Sequence, residues 1–517
     1  MVASSWAAPE DPDSTFSPFG ALGLTLVSAN VSQTQTGIAV DSLGRIVVVG
    51  TVSVGAHTDA FIARFLPSGQ LDNSFGVSGV RTVDNFGGGR NDTAVAVAID
   101  TSNRIVFVGT TDYVTDKDIW VCRLTTTGLL DSSFSGDGQY GLDVDGAQRN
   151  DEATCVAIDS SGRILVGGFS FNPNLTASGT NDLTILRLTN AGDLDSNFNT
   201  TGVAHFHLGT NDRVTGLAFH SGGRIFASFV RDNACGVIRL NAGGDINVAW
   251  ASSGIRNLPL PGTTQVITGI KVDANDQAVV CGHQVLSSGT KIFVAKIAFN
   301  GNSDDWIVQE DYGASVERGM ALAIQRDGDI VIAGFSSSGP GLAVLRYTPN
   351  GRRDPGFNRG FGGFAANVTG LPNEIGLSVA IQKDGKIVLG GRANGYFFAY
   401  RIVGELSEYY YGQADLIYAY FIGLGQSREA LSYWFYYRAF GDQIKRVDEA
   451  NQSLASKEFY QGLAYFYYTF LEGQPGRLYF YYLYLGYSEY TSRQASGDSA
   501  GATAYYNYYV NLANSFL

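Results

Sequence analysis

The sequence is poor in the residues that usually announce chemistry. Its 517 residues include four cysteines, five histidines and two methionines. Cys122, Cys155, Cys235 and Cys281 form no CxxC and no spaced framework. Each lies in an apolar run, so they read as buried free thiols rather than a disulfide scaffold. Positive charge is also short: 35 Lys and Arg against 48 Asp and Glu leave a formal net charge of −13. With so little to displace counterions, the balance argues against a nucleic-acid partner and an anionic membrane surface. No apolar run approaches the ~18–20 residues of a membrane-spanning helix. The opening "MVASSWAAPEDPD" carries neither the basic nor the apolar region of an uncleaved signal peptide. Proline is scarce at 12 while glycine reaches 65, which suits many tight turns joining short strands.

A repeat fills most of the chain. "GIAVDSLGRIVVVGT" from Gly37, "AVAIDTSNRIVFVGT" from Ala96 and "CVAIDSSGRILVGGF" from Cys155 align without a gap, and Ile46, Ile105 and Ile164 are each 59 residues apart. Looser copies begin at Gly216, Gly269, Ala321 and Ser378, making seven. Each unit reads as four strands. A short alternating strand enters a D-S-x-G turn, where Asp suits a type I turn and Gly takes the positive φ that closes it. The second strand, as in "RIVVVG", is apolar on both faces and so buried on both. A third strand ("DAFIARFLPSG", "DIWVCRLTTTG", "DLTILRLTNAG") leads to a D-x-x-F corner and a fourth. Four antiparallel strands per unit of this length make a propeller blade.

The seventh copy runs through "YFFAYRIVGELS" and stops before its corner, whereas the N-terminus opens on a corner alone. Asp13 and Phe16 precede Asp72 and Phe75 by one 59-residue period. The first strand of the chain is therefore expected to complete the last blade, removing two sheet edges that would otherwise invite aggregation. The fold expected is mainly β, a seven-bladed β-propeller over residues 1–404.

The D-x-x-F-G-x-x-G corner and the "DxxGRIVVGG" hairpin resemble the delta-60 repeat family of bacterial β-propellers, over roughly residues 11–404. Copies four and five depart from it, with His220 at the turn Asp and Trp250 or Trp306 in place of the corner Phe. The resemblance implies a fold, often within large secreted or surface proteins, and brings no catalytic residues to carry over.

After Gly404 the composition changes. Of 28 tyrosines, 22 lie between Tyr409 and Tyr509. Runs such as "SREALSYWFYYRAF" and "SLASKEFYQGLAYFYYTFLEG" read as four or five α-helices, with strands the alternative that Tyr allows. Aromatic residues surround these helices nearly on all sides, more than one small bundle buries. Residues 405–517 are therefore expected to be a Tyr-rich helical oligomerisation or docking domain, with Tyr436, Tyr437, Tyr467, Tyr468, Tyr481, Tyr482, Tyr505 and Tyr508 as interface candidates. An aromatic core in a monomeric bundle is the alternative.

Candidate chemistry is sparse. A basic residue recurs in the third strand of every unit, at Arg64, Arg123, Arg187, Arg239, Lys296, Arg346 and Arg401. Seven-fold recurrence points to structural inter-blade pairing with turn or corner carboxylates rather than to a ring of cations for an anionic ligand. His205 and His207 share a face of one strand, but the sequence offers no third ligand and no metal is assigned. "DVDGAQRNDE" at Asp143 begins like a calcium loop, yet Ala147 stands where a ligand is needed. No catalytic residue, cofactor site or metal site is expected. The reading is a non-enzymatic structural or interaction protein, displayed at a cell or viral-particle surface or outside the cell. Self-association or a larger scaffold would engage residues 405–517, and a glycan or protein ligand could meet the propeller loops. The alternative is a glycan-binding or glycan-active propeller using its central channel.

Overall fold

The computed structural model describes Asp13, Phe16, Leu24–Ser28 and residues 37–402, apart from 86–88, 113–115, 145–148, 172–180, 311–316, 337–340, 355–356, 358–362, 367 and 371–373. The described residues all fall within one compact unit, Met1–Gly404. The helices and interface tyrosines expected between 405 and 517 lie outside the described residues.

Seven four-stranded antiparallel sheets follow one another. Blade 1 comprises Gly37–Val40, Ile46–Val54, His57–Phe65 and Val80–Val83, hydrogen-bonded in chain order. Blades 2 to 6 repeat this over 96–142, 152–206, 212–257, 264–310, 317–366. Blade 7 has Ile375–Ile381, Ile387–Ala393 and Tyr396–Ile402, and its fourth strand is Leu24–Ser28. That strand pairs antiparallel with the third, from Leu24 opposite Tyr400 to Ser28 opposite Tyr396. The first strand of each blade packs against that of the next, and blade 7 against blade 1, so the ring closes. The protein is a seven-bladed β-propeller shut by its own N-terminal segment.

Local chemistry explains the blade. The second strand of blade 1 is buried over its first seven residues, as a strand flanked by sheets on both faces must be. Asp41 holds the preceding turn by accepting the N–H groups of Leu43 and Arg45, both at 2.9 Å, through one carboxylate oxygen. The Nε of Arg45 donates to the other oxygen at 2.6 Å. Blades 3 to 7 place a bulge in the first strand, as between Ala153 and Cys155 or Val214 and Gly216, which increases local twist where the blades converge.

The cores lie between blades. One joins Val27, Phe397 and Ala399 of blade 7 to Ile46, Val48 and Phe61 of blade 1. Phe61 and Phe397 stack at 5.4 Å across that closure. The four cysteines are buried and unbridged, as their apolar surroundings predict. Burial pushes the thiols of Cys155, Cys235 and Cys281 up to about 12, far from reactive thiolates.

Candidate functional site

The two ends of the propeller differ. One end, the turn face, carries the hairpins between first and second strands and the corners between third and fourth. Every one of those seven hairpins spans five residues, from 41–45 through 382–386. The opposite end, the loop face, carries the links between second and third strands and the crossings to the next blade. There the second-to-third link ranges from two residues after Arg231 to nine after Phe171.

The recurrent basic residues sit at the turn face. Arg123 is the pattern. Its Nε donates to Asp131 of the corner at 2.8 Å and its Nη2 to Ser133 at 3.0 Å. Its Nη1 crosses to blade 3 and donates to the carbonyl of Asn190 at 2.5 Å, while the guanidinium lies 4.8 Å from the centre of the Phe134 ring. Arg64 repeats this with Asp72, Thr126 and Phe75, and Arg187 with Asp195, Ala242 and Phe198. At the closure Arg401 pairs with Asp13 at 2.9 Å, donates to the carbonyl of Pro67 in blade 1 and covers Phe16. Arg346 pairs with Asp354 and covers Phe357. Burial lowers the pKa of Arg64, Arg123, Arg187 and Arg401 from its ordinary value, against the pull of their carboxylates.

The same joint needs a glycine. Gly128 has φ +86°, and a Cβ there would lie 2.8 Å from Phe75 of the preceding blade. Gly69, Gly192 and Gly244 meet Phe16, Phe134 and Phe198 in the same way. Blades 4 and 5 show what the departures from the repeat accomplish. Asn247 replaces the corner Asp beneath Arg239, and Lys296 turns to Asp273 at 2.7 Å. In both blades a tryptophan then supplies the crossing hydrogen bond. The indole N–H of Trp250 donates to Phe299 at 3.1 Å, and that of Trp306 to Pro349 at 3.2 Å. Phe299 and Pro349 stand two residues before Gly301 and Gly351, as Thr126 stands two before Gly128. Trp306 sits within the strand Asp304–Glu310, opposite Lys296, rather than in a separate corner turn.

Titratable groups on the loop face form clusters that the sequence reading does not foresee. Asp59, Asp84 and Asp92 present carboxylate oxygens within 4.8 Å of one another, and so do Asp116, Asp118 and Asp143. Burial, with smaller contributions from Asp84 and Asp59, raises the Asp92 carboxyl to about 6 against its hydrogen bonds from Thr111 and Asn85. His205 and His207 do not act as a pair. The Nδ1 of His205 lies 3.2 Å from both Ser170 and Thr184 hydroxyls, whereas His207 lies 2.8 Å from Asp182 and joins Asp182 and Asp212 in a third cluster. Linear spacing hides these clusters because their members come from different parts of one blade or of two neighbouring blades.

Three stretches of the chain match a known repeat. Residues 44–75, 160–198 and 325–357 fit the family described as a domain of unknown function (DUF5122) beta-propeller. Each match runs from the first hairpin turn to the corner phenylalanine, at Phe75, Phe198 and Phe357, and the delta-60 resemblance is consistent with it. No curated protein matches the chain. Solved structures of similar fold include a catalytically inactive virginiamycin B lyase from Staphylococcus aureus with quinupristin, at 12% identity and TM-score 0.42, over 74% of this chain and 99% of that one. YCF48 bound to D1 peptide is 11% identical, over 77% and 99%, with TM-score 0.42. The polysaccharide lyase Uly1 is 12% identical, over 77% and 98%, with TM-score 0.41.

Proposed function

We propose that this protein is a non-enzymatic structural or interaction protein, a closed propeller carried on an assembly by its Tyr-rich segment, residues 405–517. The observation that supports this reading is how the repeated chemistry is used. Where the blades follow the repeat closely, the strand arginine is taken up by a corner carboxylate and by the carbonyl of the next blade. We therefore read Arg64, Arg123, Arg187, Arg239, Lys296, Arg346 and Arg401 as structural residues of the inter-blade joints. The second-to-third-strand links of the loop face vary from two to nine residues, and there a protein or glycan ligand would be met. A surface layer, an extracellular filament or a viral particle would suit such a display module.

Aromatic surface on the scale of 22 tyrosines in 113 residues is more than monomers ordinarily leave in water. Sedimentation of the full chain tests the proposal against a variant with Tyr436, Tyr437, Tyr467, Tyr468, Tyr481 and Tyr482 changed to Ser. The full chain should sediment as a defined oligomer, or with a scaffold, and the variant at the 55.3 kDa of one chain. A full chain that sediments as a monomer and takes up no scaffold would sink the assembly reading.

A further inference from the structure

One three-position pattern recurs on the loop face at three consecutive seams. Its positions are the start of a third strand, the residue just past the fourth, and the entry to the next blade. They read Asp59, Asp84, Asp92, then Asp118, Asp143, Asp151, then Asp182, His207, Asp212. At the third seam, between blades 3 and 4, an imidazole takes one of the three positions.

At that seam the three side chains converge, each with a ligand-type atom within 4.8 Å of the others. The Nδ1 of His207 is 2.8 Å from Oδ1 of Asp182. Oδ2 of Asp212 accepts the N–H groups of Leu208 and Gly209 at 2.6 and 2.7 Å. The remaining oxygens, Oδ2 of Asp182 and Oδ1 of Asp212, are buried with no hydrogen-bond donor. Asp182 is 0% exposed and Asp212 1%, so each buried lone pair carries a desolvation cost that no protein group offsets. Gly209 packs closely beside them: a Cβ there would lie 2.6 Å from Cγ of Arg231 and 3.0 Å from Oδ1 of Asp212.

We propose that Asp182, His207 and Asp212 bind a divalent metal ion of the zinc class. Two carboxylates and an imidazole suit such an ion, whereas calcium takes six to eight oxygens. Ligand atoms about 2.0–2.2 Å from a tetrahedral ion are roughly 3.3 Å apart. The 2.8 Å pair needs only to part slightly, and the wider spacings only to close. The ion takes the place of the proton between His207 and Asp182, and a neutral imidazole then carries its one N–H on Nε2. Three protein ligands leave the fourth tetrahedral position for water or for a group on a bound partner.

Zinc chloride added to the chelator-treated full chain, followed by calorimetry and thermal melting, tests the assignment. Near-stoichiometric binding is expected, with a rise of several degrees in Tm. His207→Asn is the primary variant, because the imidazole is 35% exposed and its loss should not prevent folding. It should weaken zinc at least tenfold, and Asp212→Asn should do the same. No bound zinc and no change in Tm would overturn the site. So would zinc binding that survives His207→Asn, or a calcium response insensitive to that change, which would place the ion at another seam.

Discussion

Arg123→Met removes one joint between blades 2 and 3 while keeping most of the side-chain volume. Arg123 is 1% exposed and the Asp131 carboxylate 10%. Burial pulls the Asp131 carboxyl upward, but the hydroxyl and N–H of Ser133 and the Arg123 charge outweigh it and hold the group below the usual carboxylate range. Breaking a buried pair from one side costs about 3–5 kcal/mol. The Asn190 carbonyl loses its charged donor as well, which adds about 1–3 kcal/mol. Arg104, 3.4 Å from Asp131, and the two Ser133 bonds recover part of this. The expected net loss is about 3–5 kcal/mol, read from urea unfolding at pH 7. The sign with pH follows from the depressed carboxyl. Its contribution is present above the ordinary Asp value and fades as pH falls through the lower folded value, so the mutant's deficit should shrink in acid. The double variant Arg123→Met, Asp131→Asn should recover stability if an orphaned carboxylate is the main cost. A single mutant as stable as the parent, or a double mutant no better than the single, would refute the joint.

Three further outcomes are expected. Gly128→Ala forces a side chain into the positive-φ region and against Phe75, costing about 2–4 kcal/mol by thermal melting, and an unchanged Tm would mean the blades are not held at that contact. Deleting residues 1–28 strips blade 7 of its fourth strand and of Asp13 and Phe16, so aggregation or a large drop in Tm should follow; a soluble monomer with the parental Tm would contradict closure. Asp92→Asn should stabilise the chelator-treated protein at pH 8, by on the order of 2 kcal/mol. The Asp92 carboxyl is raised to about 6, so the folded state holds its proton more tightly and the charge penalty grows as pH rises through that value. The gain should vanish below pH ~4, and a gain that is the same at every pH would show that the carboxylate charge is not the cause.

Much of the architecture was legible in order of residues alone. The 59-residue period, the paired Asp and Gly of the turns and the doubly apolar second strands are local signals, each set by backbone geometry within one blade. The displaced corner at Asp13 and Phe16 even revealed the closure, because a repeat that starts mid-unit can be completed only by its own end. The recurrence of a basic residue in each third strand was equally visible. Its partners in the next blade were not, since Thr126, Asn190 and Ala242 contribute backbone carbonyls that carry no side-chain signature. Trp250 and Trp306 looked like decay of the corner motif, yet each restores the crossing bond with an indole N–H. The loop-face clusters needed the tertiary structure outright. Asp182 and Asp212 lie on strands of two blades and His207 just past another strand, and only sheet register and blade packing bring their side chains to one point. Sequence periodicity determined the blade because a blade's contacts are short-range and repeated. The seams were decided by packing between blades, where proximity in space bears no simple relation to distance along the chain.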